Sequence, residues 1–445
     1  MGEKTSERQY QVAAGQPKRH RALARRQPSP ATKPDTHARR QPASLARDRL
    51  TRSGQRNEPP RSSSDNAPVP GLDGNRRGGL CGNALEPGLA AWFSNNYQLS
   101  NEANEAISRK DPCNPEKQLV ALIDAVGPGG AIDGALFEIE EPTVTNALLR
   151  AKQDRNVAVR LVTDTDYYYD RQEPSQVTEP IKKLLAAGIP IVPDRHKAFM
   201  HHKFLMINRK LVWTGSFNIS ENGAFKQNNN AILLRSSRLA ADYRTEFEQM
   251  FSDQRFGAHK PRIKPYPLVK IGKVIVEPLF SQDDVNVRLA QEVRKAKKSV
   301  KFMAFAFTDK TLGQAMLDQA RDRKLVEGIF ERRGANSDSS RYPELKAAGL
   351  DVHMDGNPQY MHHKVIIIDD TTLITGSFNF SKAADNSNDE NLVIIRNAPR
   401  LVKKYLAEYQ RVKATALAAE KAREERSPSA PGMVESGTFS IRRKD

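Results

Sequence analysis

Two short apolar runs, Phe204 to Ile207 and Val365 to Ile368, are continuous rather than alternating. A run of that kind predicts a strand buried on both faces. Each run is entered through the same polar segment, Met200-His201-His202-Lys203 and Met361-His362-His363-Lys364. Each is left through a polar turn, Asn208-Arg209-Lys210 or Asp370-Thr371-Thr372, into a second apolar strand, Leu211-Val212-Trp213 or Leu373-Ile374. That strand closes on Thr214-Gly215-Ser216-Phe217-Asn218 or Thr375-Gly376-Ser377-Phe378-Asn379, and matched positions lie 161 residues apart throughout. Polar residues repeated inside apolar surroundings predict two structural halves, each supplying half of one site. Strand alternation puts His201 and Lys203 on one face and His202 on the other, and likewise His362 and Lys364 against His363.

The periodicity around the repeat agrees. The first half opens at Trp92-Phe93-Ser94-Asn95, echoed by Leu279-Phe280-Ser281-Gln282. It then predicts a strand from Ala131, a helix from Val144, a strand from Val157 and a helix ending at Gly188. In the second half a basic amphipathic helix from Val287 leads into a strand from Val300, a helix from Leu312, a strand from Leu325 and a helix ending at Gly349. The histidine follows the helix-ending glycine by 13 residues in both halves. Such repetition implies α/β units with helices over a mixed sheet. The expected boundaries are a basic, disordered arm at 1–80, a first domain at 81–254, a linker at 255–270, a second domain at 271–412, and a helical then loose segment at 413–445.

Composition narrows the picture. Hydrophobic residues make up 38% of 445 and the mean hydropathy is −0.65, low for a chain folded along its whole length. The arm is rich in Arg, Pro, Ser and Gly, as disordered segments are. It holds 17 Lys and Arg against 7 Asp and Glu, so +10 of the formal +17 lies there and the rest of the chain is ordinary. The charge therefore describes a tail, read equally as a contact for nucleic acid or anionic lipid and as a dispensable leader. No run approaches the roughly 18 apolar residues of a membrane span, and no secretory signal is recognisable, leaving the cytoplasm as the default compartment. Cys81 and Cys113 are compatible with one bridge or with two free thiols. No His/Cys cluster has zinc spacing.

Each half thus offers an imidazole, an ammonium, a hydroxyl and an amide, with a glycine that lets backbone approach a ligand. Two facing sets suit a phosphate diester. The pattern His-x-Lys-x4-Asp with Gly-Ser-x-Asn resembles the paired motif of the phospholipase D superfamily, over roughly 90–250 and 275–410. The second half fits throughout (His362, Lys364, Asp369, Gly376, Ser377, Asn379, Glu390). It is most similar to the small bacterial endonuclease and cardiolipin-hydrolase branch, by Ala304-Phe305-Ala306-Phe307-Thr308. The first half departs at Asn208, in place of Asp369, and at Asn229, in place of Glu390. The resemblance implies two similar α/β domains, each a mixed sheet flanked by helices, packed face to face around one shared active site.

It further implies a metal- and cofactor-independent phosphodiesterase working through a phosphohistidine. Expected catalytic residues are His201, Lys203, Asn218, His362, Lys364, Asn379 and Glu390, with Ser216, Ser377 and Asn229 contacting substrate. Glu390 beside His362 would favour an imidazolium acid, and Asn229 would leave His201 a neutral nucleophile. Phospholipid diesters are the first expected substrate. The alternatives are DNA or RNA cleaved by the same chemistry, or a non-catalytic nucleic-acid- or lipid-binding protein. Both motifs lie in one chain, which predicts a monomer. Arg195, Lys197, Lys210 and Lys226 are candidate groove cations. Tyr167-Tyr168-Tyr169 reads either as a contact rim or as packing.

Overall fold

A computed structural model describes residues 80–81, 85–94 and 101–426; the arm at 1–79 and the terminal 427–445 lie outside the described residues. The first half forms a seven-stranded sheet from β1 (Leu89–Ser94), β2 (Ala131–Leu136), β3 (Ala158–Thr163), β4 (Ile191–Pro193), β5 (Lys203–Ile207), β6 (Leu211–Gly215) and β7 (Asn229–Arg235). Its spatial order is β1-β7-β6-β5-β2-β3-β4. The second half forms an eight-stranded sheet from β8 (Val269–Ile271), β9 (Val274–Phe280), β10 (Ser299–Ala304), β11 (Leu325–Phe330), β12 (Asp351–Met354), β13 (Lys364–Ile368), β14 (Thr372–Gly376) and β15 (Asn391–Arg396). Its order, β12-β11-β10-β13-β14-β15-β9-β8, repeats that of the first sheet with β8 added at the edge. In each sheet the three crossover strands are parallel and the motif strands antiparallel. The continuous apolar runs are central strands as expected, β5 between β2 and β6 and β13 between β10 and β14.

Along β5, alternate residues enter different cores. Phe204 and Met206 join a core shared by the two lobes, while Leu205 and Ile207 join one beneath the first lobe's outer helices. Along β13, Val365 and Ile367 face the shared core and Ile366 and Ile368 the second lobe's own. Two corresponding helices, Ser237–Phe251 and Pro399–Arg426, fill the space between the sheets. They contribute Tyr243, Phe247, Tyr405 and Tyr409 to the shared core. Each fully buried aromatic or aliphatic side chain is worth about 1.5–3 kcal/mol, so the lobes form one body rather than two beads on the linker.

The hairpin between the motif strands turns on Asn208-Arg209 and Asp369-Asp370, with φ of +53° and +54°, and +52° and +54°. Two consecutive left-handed residues match the twist of the flanking strands. Gly215 and Gly376 are required by a neighbouring strand rather than by a ligand, which corrects the expectation above. A Cβ at either would stand 2.3 Å from the carbonyl oxygen of Asn230 or Asn391. In the first half the longer stretch after β1 holds two helices that the periodicity did not reveal, Asn101–Lys110 and Pro115–Asp124. Cys81 and Cys113 are joined in a disulfide that ties the start of the lobe to this insertion. Among the described residues no helix is long and apolar enough to cross a membrane.

Candidate active site

His201 and His362 each stand just ahead of a central strand, and each is held by the opposite lobe. Parallel bridges pair Met200 with Asp389 and Asn228 with Met361. The His201 N–H donates to the Asp389 carbonyl, and the His362 N–H to that of Asn228, both at 2.9 Å. The side chains follow. His201 Nδ1 lies 2.8 Å from Glu390 Oε1, and His362 Nδ1 lies 2.8 Å from Asn229 Oδ1 and 3.2 Å from the Ser216 carbonyl. The expectation that Glu390 sits beside His362 is therefore overturned: carboxylate and amide are crossed between the halves. The cause is the docking of each β-strand entrance onto the start of the other lobe's last motif strand.

Ser216 and Ser377 are also placed differently from expectation. Both are fully buried, and their hydroxyls donate to Asn229 Oδ1 at 2.9 Å and to Glu390 Oε2 at 2.7 Å. They aim the groups that aim the imidazoles, and Asn229 likewise supports His362 from behind rather than facing the groove. Asn218 and Asn379 keep their places at the strand ends, and their amide oxygens are buried without a hydrogen-bond partner. A hydroxyl donor, such as the alcohol released from a diester, would supply one.

Lys203 and Lys364 are buried, and each Nζ donates to the carbonyl of the histidine two residues before it, at 2.8 and 2.9 Å. Each also lies over an aromatic ring, Lys203 4.7 Å from Phe137 and Lys364 4.5 Å from Phe305. The same rings meet His201 and His362 edge-on at 4.7 and 4.6 Å. Phe137 was missed from sequence and Phe305 was noted only for the resemblance, although both directly follow the strand that pairs with the motif strand. Also missed were Asp164 and Glu331, whose carboxylates accept from the backbone N–H groups of Met200 and Met361 at 3.0 and 2.9 Å.

Burial dominates the electrostatics. It pushes His201 and His362 well below the ordinary imidazole value, reinforced by Lys203 and Lys364. It brings the Lys203 ammonium down to about 8 against the pull of Glu390 and depresses Lys364 further. It pushes the Glu390 carboxyl up to about 7, with Lys203 opposing. Positive charge is thus crowded into a dry space that a phosphate anion would relieve.

The remaining expectations sort by place. His202 and His363 point away from the site as predicted, to Glu246 at 3.1 Å and Glu408 at 2.9 Å. The Asp of the motif is a turn residue. Asp369 caps the backbone N–H groups of Lys297, Lys298 and Ser299, and Asn208 accepts from Ala131 at 3.0 Å. Both lie a full strand away from the histidines. Of the candidate groove cations, Lys226 is paired with Glu221 at 3.2 Å and Lys210 belongs to the distal hairpin, while Arg195 and Lys197 are exposed. Tyr167 packs on Phe137 at 4.7 Å, and Tyr168 and Tyr169 pack on each other.

Comparison with known proteins gives a concordant picture. A family model described as "Cardiolipin synthase, PLD-like domain" matches residues 129–251 and 289–413. A phospholipase D of Rickettsia conorii is 32% identical over 38% of this chain and 84% of its own length. A mitochondrial cardiolipin hydrolase of Xenopus laevis is 32% identical over 30% of this chain and 64% of that protein. The crystal structure of a phosphatidylserine synthase from Haemophilus influenzae shares the fold, with a TM-score of 0.55 and 13% identity over 76% of this chain and 92% of that one.

Proposed function

Because the chain belongs to the phospholipase D-like family that its two lobes match, we propose that it hydrolyses phospholipid diesters through a phosphohistidine on His201. The crossed pairing carries this reading. In the first step the lone pair of His201 Nε2 attacks phosphorus, and the P–O bond to the leaving alcohol breaks. His362 passes its Nε2 proton to that oxygen. Water then attacks the phosphorus, gives a proton back to His362 and releases His201. Positive charge therefore moves from the His362 ring to the His201 ring during the first step. A carboxylate at His201 Nδ1, 2.8 Å away, favours that movement and exposes the Nε2 lone pair. The neutral amide of Asn229 does not hold the charge back on His362.

This keeps the expected order of attack on a different ground, since the carboxylate now serves the nucleophile. His362 acquires its proton as the diester enters and offsets the lysines that depress it. Lys203 and Lys364, with Asn218 and Asn379, meet the non-bridging oxygens. The names of two relatives, a phospholipase D and a cardiolipin hydrolase, support naming lipid first and nucleic acid second. The test is a panel of cardiolipin, phosphatidylcholine, single-stranded DNA, duplex DNA and RNA, run with chelator, with His201→Asn and His362→Asn as controls. Turnover of a lipid that His201→Asn abolishes and His362→Asn cuts by about 100-fold or more is expected. Cleavage of nucleic acid alone would move the protein to the nuclease reading, and activity surviving both substitutions would remove the chemistry from this site.

A further inference from the structure

The His201 side carries a charged brace that comes from the linker, whereas the matching brace on the His362 side, Arg411 on Glu408, comes from its own helix. After the Ser237–Phe251 helix the chain turns inward, and Lys260, only 4% exposed, brings its ammonium between two buried carboxylates. Lys260 Nζ lies 2.8 Å from Glu246 Oε1 and in contact with Asp389 Oδ1. The backbone N–H of Gly257 donates to both Asp389 oxygens at 2.9 Å. Glu246 in turn holds His202 at 3.1 Å and Gln282 at 2.8 Å. The ligand atoms of His202, Glu246 and Asp389 lie within 4.8 Å of one another, as a metal-binding group would. The lysine ammonium occupies the cation's role there.

Asp389 is the residue whose carbonyl receives the His201 N–H, and its own N–H donates to the Phe199 carbonyl at 2.8 Å. The next residue, Glu390, receives His201 Nδ1. Both points that fix the His201 ring thus lie on one dipeptide, and Lys260 with Gly257 anchors that dipeptide from behind. The corresponding residue on the other side is Asn228. It carries no charge, and its side-chain oxygen accepts from Asn357 at 2.8 Å. There Glu408 is met by Arg411 of its own helix at 2.7 Å, and no linker enters.

We propose that Lys260 is a positioning residue for the nucleophile: through Asp389 it fixes the Asp389–Glu390 dipeptide that aims His201. The proposal rests on His201 being the residue phosphorylated. An ångström of misplacement at a reacting atom costs about 100-fold in rate, whereas the substrate contacts made by Lys203, Lys364 and the amides are untouched.

The experiment uses the full chain with an activated aryl phosphodiester and acid-quench detection of the phosphoenzyme. Lys260→Met should slow phosphoenzyme formation and kcat by roughly 30- to 100-fold while KM stays within about twofold. Lys260→Arg, which keeps the charge, should recover most of that loss. Lys264→Met removes another linker anchor, the ion pair with Asp283 at 2.8 Å, and should leave the rates unchanged. Should Lys260→Met not fold, Asp389→Asn keeps the main-chain bonds, removes the charge that Lys260 meets, and carries the same expectation. A Lys260→Met enzyme within about threefold of the parent, a loss confined to KM, or an equal loss in Lys264→Met would each overturn the proposal. Peptide mapping separates this from the parent reading: a phosphoryl group found on His362 sinks the assignment of His201, whatever Lys260 does.

Discussion

The two lobes share a strand order, a hairpin, a glycine and a His-x-Lys pair, yet they differ at the residues that support the histidines. Where the second lobe lends Glu390 and Asp389 to His201, the first lends Asn229 and Asn228 to His362. A duplicated framework fixes where the rings are. Four side chains at two pairs of corresponding positions then decide what each ring does. On the proposed reading, the departure at Asn229 is therefore how a nearly symmetric site becomes directional, while the one at Asn208 lies at a distal turn.

The sharpest way to break the comparison is to remove one ring at a time. His201→Asn should lose turnover by about four orders of magnitude or more and form no phosphoenzyme, because both steps pass through that nitrogen. His362→Asn should lose about 10²–10⁴-fold with a poor leaving group. With an aryl diester, whose leaving group needs little protonation, it should still form the phosphoenzyme and accumulate it. Acid quench followed by peptide mapping reads both. Equal and complete loss of phosphoenzyme in the two variants would remove the asymmetry argued above.

A smaller effect follows from making the supports alike. Glu390→Gln should lower kcat by roughly 100-fold, because no carboxylate then meets the cationic His201 ring. It should also raise Tm. The folded carboxyl is pushed up to about 7 by burial, so folding binds its proton more tightly than the unfolded chain does. The stability it contributes is present below the ordinary carboxyl value and is lost as pH rises toward and past 7. The Tm advantage of the variant should therefore be small at pH 4.5 and largest above pH 7, in paired thermal scans. A Tm penalty that grows with pH would mean the carboxylate is welcome in the folded site.

The same groups set the pH profile, whose changes within the working range are smaller still. Glu390 must be ionised, and Lys203, brought down to about 8 by burial, must be protonated. kcat/KM for the free enzyme should then be bell-shaped, with an acid limb near 7 and an alkaline limb set by Lys203 together with the more strongly depressed Lys364, both belonging to the coupled set rather than to single residues. Glu390→Gln should flatten the acid limb and move the alkaline one to lower pH, because the carboxylate that holds the Lys203 and Lys364 ammonium groups up is gone. A variant that keeps both limbs would assign the acid limb elsewhere.

Much of this was legible in the chain. The 161-residue offset, the central strands, the alternation that sends His201 and Lys203 one way and His202 the other, and the helix-ending glycines are local patterns with period 2 or 3.6. The crossing was not legible, because it depends on contacts between residues 133 and 189 positions apart that no periodicity encodes. Nor was the role of Ser216 and Ser377, since a hydroxyl beside a motif looks the same whether it faces substrate or a buried carboxylate. Lys260 read as one more cation of a Pro- and Lys-rich linker; only burial between Glu246 and Asp389 distinguishes it. The disulfide stayed open because two cysteines permit a bridge without requiring one.

The smallest expected effect lies at the position where the motif most visibly fails, Asn208 against Asp369. If the motif Asp were chemical, exchanging the two residue types would change the rate. The geometry predicts that it changes only stability. Asp369 Oδ1 accepts from the N–H groups of Lys298 and Ser299 at 2.7 and 3.0 Å, and Oδ2 from that of Lys297 at 2.7 Å. Asp369→Asn keeps an oxygen for the first two and turns an NH₂ toward the third, a loss of about 1 kcal/mol. Hydrogen bonds to backbone N–H groups hold the carboxyl of Asp369 below its ordinary value, against burial, which raises it. Its contribution is therefore present above the unfolded carboxyl value and is lost as pH falls through the folded one. The deficit of the variant in urea melts should be full at pH 7 and shrink below about pH 4. kcat should stay within about twofold for Asp369→Asn and for Asn208→Asp, since a five-residue strand, about 16 Å at 3.3 Å per residue, separates the turn from the segment that carries the rings. A rate loss of an order of magnitude in either variant would show that the hairpin speaks to the site, and that the lobes differ in more than the supports of their histidines.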